Sequence, residues 1–122
     1  MYILLVEPDR VLGQTYSEAL KKAGHEVVWK RSAQSALDSL DTKLPDVIVL
    51  ELQLGLHNGV EFMYEMRSYH EWQNIPVIVH TINHYSRSDI FEPALKQLGI
   101  IEVLYKPQTS LKKLVRAVEN IK

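Results

Sequence analysis

Short β-branched runs alternating with helix-length amphipathic segments predict an α/β domain, a parallel sheet whose strands are joined by right-handed crossovers. The runs are YILLV at residues 2–6, EVVWK at 26–30, DVIVLE at 46–51, PVIVHT at 76–81 and IEVLYK at 101–106. Each is rich in Val, Ile or Leu, and the stretches between them are long enough to hold a crossover helix.

After YILLV, Leu12, Tyr16, Ala19, Leu20 and Ala23 share one helical face, and Gly24 ends the helix because glycine readily takes the left-handed conformation found there. After EVVWK, Ser32 is the expected N-cap of a second helix that turns Ala33, Ala36, Leu37 and Leu40 inward. After DVIVLE, Asn58 and Gly59 open a third helix carrying Phe62, Met63 and Met66. The stretch SRSDIFEPALKQLG predicts a short or broken fourth helix, since Pro93 cannot donate a helical hydrogen bond and disfavours helix at Glu92. IEVLYK leads to a fifth helix, capped by Thr109 or Ser110, with Leu111, Leu114, Val115, Val118 and Ile121 at helical spacing.

A chain of 122 residues, 46% of them hydrophobic, is expected to form a single domain over residues 1–122. The formal net charge of -1 leaves no basic stripe or polybasic anchor, so neither nucleic acid nor a membrane is an expected partner of this domain. There is no cysteine, which excludes disulfides, thiolate metal sites and cysteine nucleophiles. No apolar run is long enough to span a bilayer and no signal peptide is present, so a cytoplasmic protein is expected.

In an open parallel sheet, functional groups gather in the crevice beyond the carboxyl ends of the strands. That rule selects Glu7 and Asp9 after the first run, Glu51 at the end of the third, Thr81 at the end of the fourth and Lys106 at the end of the fifth, before Pro107.

The motifs ILLVEPD, PDVIVLELQLGLHNGVEF, IPVIVHT and VLYKP, in this order and spacing, resemble the receiver domain of two-component response regulators, the CheY-like superfamily. The likeness covers essentially the whole chain. It implies a (βα)5 doubly wound parallel five-stranded sheet of flavodoxin-like order 2-1-3-4-5. It also implies a phosphoryl group taken onto an aspartate after the third strand, helped by Mg²⁺, an acidic pair after the first strand, a Thr or Ser, and a Lys. Matched motif by motif, the phosphoacceptor falls on Glu51, the acidic pair on Glu7 and Pro8, the hydroxyl on Thr81 and the lysine on Lys106, with the Lys106–Pro107 bond cis. Glu51 and Pro8 are the wrong residues for those places.

The substitutions have physical weight. A carboxylate attacking phosphorus stands in line with the leaving group, and displacement on the order of 1 Å can cost about 100-fold in rate. Glu51 is longer by one methylene. Mg²⁺ is usually held by one or two protein carboxylates, and Pro8 has no side-chain oxygen to offer. The expectation is therefore a pseudo-receiver: no enzyme, no cofactor, and weak or absent Mg²⁺ binding. It would act as a phosphorylation-independent protein-interaction module whose partner is a histidine kinase, another receiver or an effector. The longer Glu51 should reach Lys106, and without a metal Glu7 and Glu51 should repel, raising the pKa of one unless Lys106 compensates.

Several residues have a simpler alternative. Asp9 could replace the ligand missing at Pro8, but its place before the first helix suits an N-cap. Thr81, β-branched at a strand end, also suits plain packing. His57, His80 and His84 with Glu7 and Glu51 hint at a transition-metal site, but their spacing matches no compact ligand motif, so no metal is expected; His25 and His70 read as surface residues. Val103 stands where responsive receivers often carry an aromatic, and Tyr105 shares its face two residues on. Ile100, Ile101 and Leu104, if exposed together, form an apolar interaction face; the alternative is Ile100 buried and Ile101 simply starting a strand. The resembled family commonly dimerises through its fourth helix, fifth strand and fifth helix, which makes a homodimer there the first choice. Two rivals stay open: an active receiver phosphorylated on Glu51 or with Mg²⁺ held by Glu7 and Asp9, and a flavodoxin-like small-molecule binder using the same crevice.

Overall fold

The apolar runs form strands where the sequence places them, within a residue at most ends. In a computed structural model that describes residues 1–55, 57–82 and 96–121, Tyr2–Val6 (β1), Glu26–Lys30 (β2), Val47–Leu50 (β3), Val77–Thr81 (β4) and Ile100–Tyr105 (β5) make one parallel sheet in the order β2-β1-β3-β4-β5. The described helices are Arg10–Lys22 (α1), Ala33–Thr42 (α2), Gly59–Arg67 (α3) and the C-terminal Leu111–Glu119 (α4). The fourth helix expected around Pro93 lies outside the described residues.

The caps follow from side-chain chemistry. Asp9, Ser32, Asn58 and Ser110 each accept a backbone N–H from the first turn of the helix they precede. Ser32 and Ser35 cap reciprocally, as in a capping box. Gly24, at φ 98°, carries the chain out of α1.

The central strands are apolar throughout because both faces are covered. Leu4, Val6, Ile48, Leu50, Val77 and Val79 pack against Ala36, Leu40, Phe62, Met63 and Met66 of α2 and α3. The alternate residues Ile3, Leu5, Val47, Val49 and Ile78 pack with Tyr16, Leu20, Leu114, Ala117 and Val118 of α1 and α4. Ala23 and Leu111, expected on buried helix faces, are exposed.

The edge strand β5 overturns the expected apolar interaction face. Its register shifts between Val77↔Ile100 and Ile78↔Glu102, so Ile101 is an extra, bulged residue. The bulge changes the parity of everything after it. Ile100 and Val103 therefore both pack toward the α2–α3 layer, and Leu104 enters the opposite core at 3% exposure. Only Ile101 of the three stays exposed, so Ile100, Ile101 and Leu104 do not share a surface. The Lys106–Pro107 bond, implied by resemblance to be cis, is trans, and Lys106–Gln108 form a 3-10 turn with proline at its start, where no N–H is needed. His25 is only partly exposed: its ring bonds Glu119 at 2.9 Å and its side chain is 10% exposed.

Two packing features were not foreseen. Arg67 donates from Nε to the Leu98 carbonyl and from its two terminal nitrogens to the Trp72 and Ile75 carbonyls, at 2.7–2.8 Å, tying the end of α3 to the entrances of β4 and β5. Gly13 sits mid-helix in α1 because the Trp29 indole lies across it, and a Cβ there would come within 2.1 Å of the ring. Helix propensity alone favours Gly13→Ala by about 1 kcal/mol. Collision with a fixed indole reverses the sign, so urea unfolding of Gly13→Ala is expected to show a net loss of about 1–3 kcal/mol. A gain would contradict this packing.

Candidate functional site

The crevice is assembled by the carboxyl ends of β1, β3, β4 and β5, which bring Glu7, Glu51, Thr81 and Lys106 together. All are drawn out of water: Glu7 is 2% exposed and Glu51 3%. Lys106 lies between them, its Nζ 2.6 Å from Glu7 Oε1 and 2.8 Å from Glu51 Oε1. The expected Glu51–Lys106 ion pair is thus present, and Lys106 holds Glu7 as well.

Glu51 is saturated. Its Oε1 accepts from Lys106 Nζ at 2.8 Å and from the Ile82 backbone N–H at 3.0 Å. Its Oε2 accepts from the Thr81 hydroxyl and from the Gln53 backbone N–H, the latter at 3.1 Å. A carboxylate has about four lone-pair sites, and four donors occupy them. The donors come from three separate segments, so Glu51 ties the end of β3 to the ends of β4 and β5.

The β1–α1 turn is held just as firmly. Glu7 Oε2 accepts the Asp9 backbone N–H at 3.1 Å, and the Asp9 side chain caps α1 by accepting from Leu12 N at 2.8 Å. Asp9 is exposed and its carboxylate points to the helix, so it does not join Glu7 in an acidic pocket. The Trp29 indole donates to the Glu7 carbonyl at 2.9 Å and Arg31 to the Pro8 carbonyl at 3.0 Å. Trp29 and Arg31 escaped the sequence reading. The signal for them is the parallel pairing of β2 with β1, which sets residues at the end of β2 beside the turn that follows β1.

These groups do not fit the Mg²⁺ that the family resemblance implies. Glu7 and Glu51 already satisfy Lys106 and backbone donors, Pro8 offers no side-chain oxygen, and its carbonyl is bonded to Arg31. Among the described residues no three His, Asp or Glu side chains converge on a metal position. His80 turns away from the crevice to meet Tyr16 edge-on, ring centroids 4.7 Å apart. His84 and the His57 side chain lie outside the described residues. His70 is exposed, as expected.

Burial pushes the pKa of both Glu7 and Glu51 up, and hydrogen bonding decides which of the two escapes. Burial prevails at Glu7, whose pKa ends up above the ordinary carboxylate value despite Lys106. At Glu51 the opposing pull of Lys106, Thr81 and the Gln53 and Ile82 N–H groups outweighs burial, and its pKa is lowered. Lys106 is likewise desolvated, but its two carboxylate partners raise its pKa. Burial, then the nearby Lys106 charge, pull His80 down to about 4, with Glu51 opposing.

Linkage gives these shifts opposite signs. A lowered folded pKa makes Glu51 stabilising above its unfolded value, a contribution lost as pH falls through the folded pKa; Glu7, raised, favours the fold as it takes up a proton. Lys106→Met leaves two buried carboxylates without a cation and raises both their folded values. Chemical denaturation of Lys106→Met at about pH 7.5 is expected to show a loss of roughly 3–5 kcal/mol, partly recovered at about pH 5.5 as the carboxyls protonate. Equal losses at the two pH values would refute the triad as described.

Comparison with known proteins agrees with this architecture. Residues 3–119 match the family described as response regulator receiver domain. The chain is 31% identical over 109 residues to the transcriptional regulatory protein QseB of Haemophilus influenzae, covering 88% of this chain and 46% of that protein. It is 28% identical over 120 residues to the polar-differentiation response regulator DivK of Brucella ovis, covering 98% of this chain and 92% of that one. It spans about half the length or less of the transcriptional regulators it matches, 46% of QseB and 22% of the Pseudomonas aeruginosa AlgB. In fold it superposes on the Vibrio cholerae chemotaxis protein CheY4 with a TM-score of 0.87 at 22% identity, covering 99% of this chain and 98% of that one. Receiver domains are signalling modules that engage proteins such as kinases and effectors. No described helix is long and apolar enough to cross a membrane. With its sheet order, crevice and sequence all in agreement, the chain belongs to the response regulator receiver domain family.

Proposed function

We propose that this domain is a pseudo-receiver, a protein-interaction module of two-component signalling whose conformation is set by Glu51 itself and not by phosphorylation. The observation that carries the reading is the saturation of Glu51: both carboxylate oxygens already accept two donors each, and the residue is 3% exposed. A nucleophile needs a free lone pair, and the four donors take up those of Glu51.

The same donors explain what Glu51 does instead. Lys106, Thr81 and the Ile82 N–H converge on it as they would on an anion carried at the end of β3. Glu51 supplies that anion permanently, with one negative charge where a phosphoryl group carries nearly two. The output surface is then constant, and regulation rests on the amount of the protein or of its partner. The partner class is a histidine kinase, another receiver or an effector in the cytoplasm, with a homodimer through the β5 and α4 side as one arrangement of this domain.

An active receiver with Mg²⁺ on Glu7 and Asp9 is disfavoured, because Asp9 caps α1 and both Glu7 oxygens have donors. Intact-mass measurement after incubation with acetyl phosphate and Mg²⁺ is expected to find the mass unchanged. Gain of one phosphoryl group, abolished in Glu51→Gln, would overturn the proposal.

A further inference from the structure

His80 is a buried titratable group that the crevice network does not use. It lies on β4 in register with Leu104 of β5 and is 2% exposed. Its Nε2 has no hydrogen-bond partner among the described residues. Buried polar atoms are nearly always paired, so an unpaired imidazole nitrogen in the core calls for a reason.

The surroundings accept only the neutral ring. From α1, Tyr16 meets it edge-on. From the ends of β3 and β5, Glu51 and Lys106 act on it through space, with Lys106 the stronger influence; Glu7 lies beyond Lys106 and is bonded to it. The buried face of α4 carries Leu114, Ala117 and Val118, with no charge. Among the described residues no carboxylate bonds the imidazole, so a proton on it would leave an unpaired cation in an apolar layer beside a second cation.

We propose that His80 is a proton-operated release for the layer between the sheet and helices α1 and α4: the layer stays packed while the imidazole is neutral and opens when the ring is charged. In the opened chain His80 regains an ordinary histidine pKa near 6.5, whereas in the packed layer it is held near 4. Between those values the open state binds the proton and the packed state does not, so acidification favours opening. The packed-to-open ratio should fall by about tenfold between pH 7.5 and 5.5 through this one group. Glu51 acts in the same direction only in the more acidic carboxylate range and Glu7 acts oppositely, so the comparison with a chain lacking the imidazole isolates the contribution of His80.

The test uses the full 122-residue chain, wild type and His80→Leu, with urea unfolding and amide hydrogen exchange in α1 and α4 followed from pH 7.5 to 5.5. Wild type is expected to lose about tenfold more of its folded-to-unfolded ratio over that window than His80→Leu, with faster exchange in both helices. The His80 ring resonance in the wild type, which decides the matter even if His80→Leu does not fold, should stay neutral until the packing is lost. Parallel pH dependences of the two chains, or a His80 resonance titrating near 6.5 with the fold intact, would overturn the proposal.

Discussion

One ammonium group holds the carboxyl edge of this sheet together. Lys106 Nζ sits 2.6 Å from Glu7 and 2.8 Å from Glu51, and the three side chains come from the ends of β1, β3 and β5. Buried ions repay their desolvation only when every charge is paired and the remaining lone pairs are bonded. Glu51 meets that condition, with Lys106, Thr81 and two backbone N–H groups; Glu7 shares the same ammonium and has only the Asp9 N–H besides, and its pKa is raised accordingly. Separated strand ends are thereby fixed relative to one another. In a sheet of this kind those ends are where a ligand or partner is met.

The functional reading turns on a single methylene. A carboxylate one bond further out than an aspartate reaches Lys106, Thr81 and the Ile82 N–H directly, and the donors that would stabilise a transferred phosphoryl group are consumed by the side chain itself. Pro8 has no side-chain oxygen to offer a metal, and the Trp29 and Arg31 bonds to the Glu7 and Pro8 carbonyls hold the neighbouring turn in place. The substitutions reinforce each other. Lys106 is the cation that meets both carboxylates.

The fold was legible because the signals for it are local. Strand runs, N-caps at Asp9, Ser32, Asn58 and Ser110, and the exit at Gly24 depend on residues close in sequence. The Glu51–Lys106 pair was legible too, since parallel strands deliver their carboxyl ends to one edge. What escaped is non-local. That Leu104 enters the core opposite to Ile100 follows from a bulge at Ile101 that no pattern of alternation announces. Gly13 in α1 reads as a weak point until Trp29 is laid across it, and Arg67 reads as an ordinary last-turn cation until the Leu98, Trp72 and Ile75 carbonyls surround it. His80 was grouped with the crevice by its place near a strand end. Strand parity sends it instead to the opposite core, against Tyr16.

The central claim is that Glu51 and Lys106 fill the pocket that a phosphoryl group and its metal would need. A crystal structure of the chain soaked in Mg²⁺ and beryllofluoride tests this most directly. The account predicts unchanged density, with Lys106 bonded to Glu7 and Glu51 and Thr81 bonded to Glu51. A beryllofluoride seated on Glu51 beside a bound divalent ion, with Lys106 displaced from either carboxylate, would contradict it.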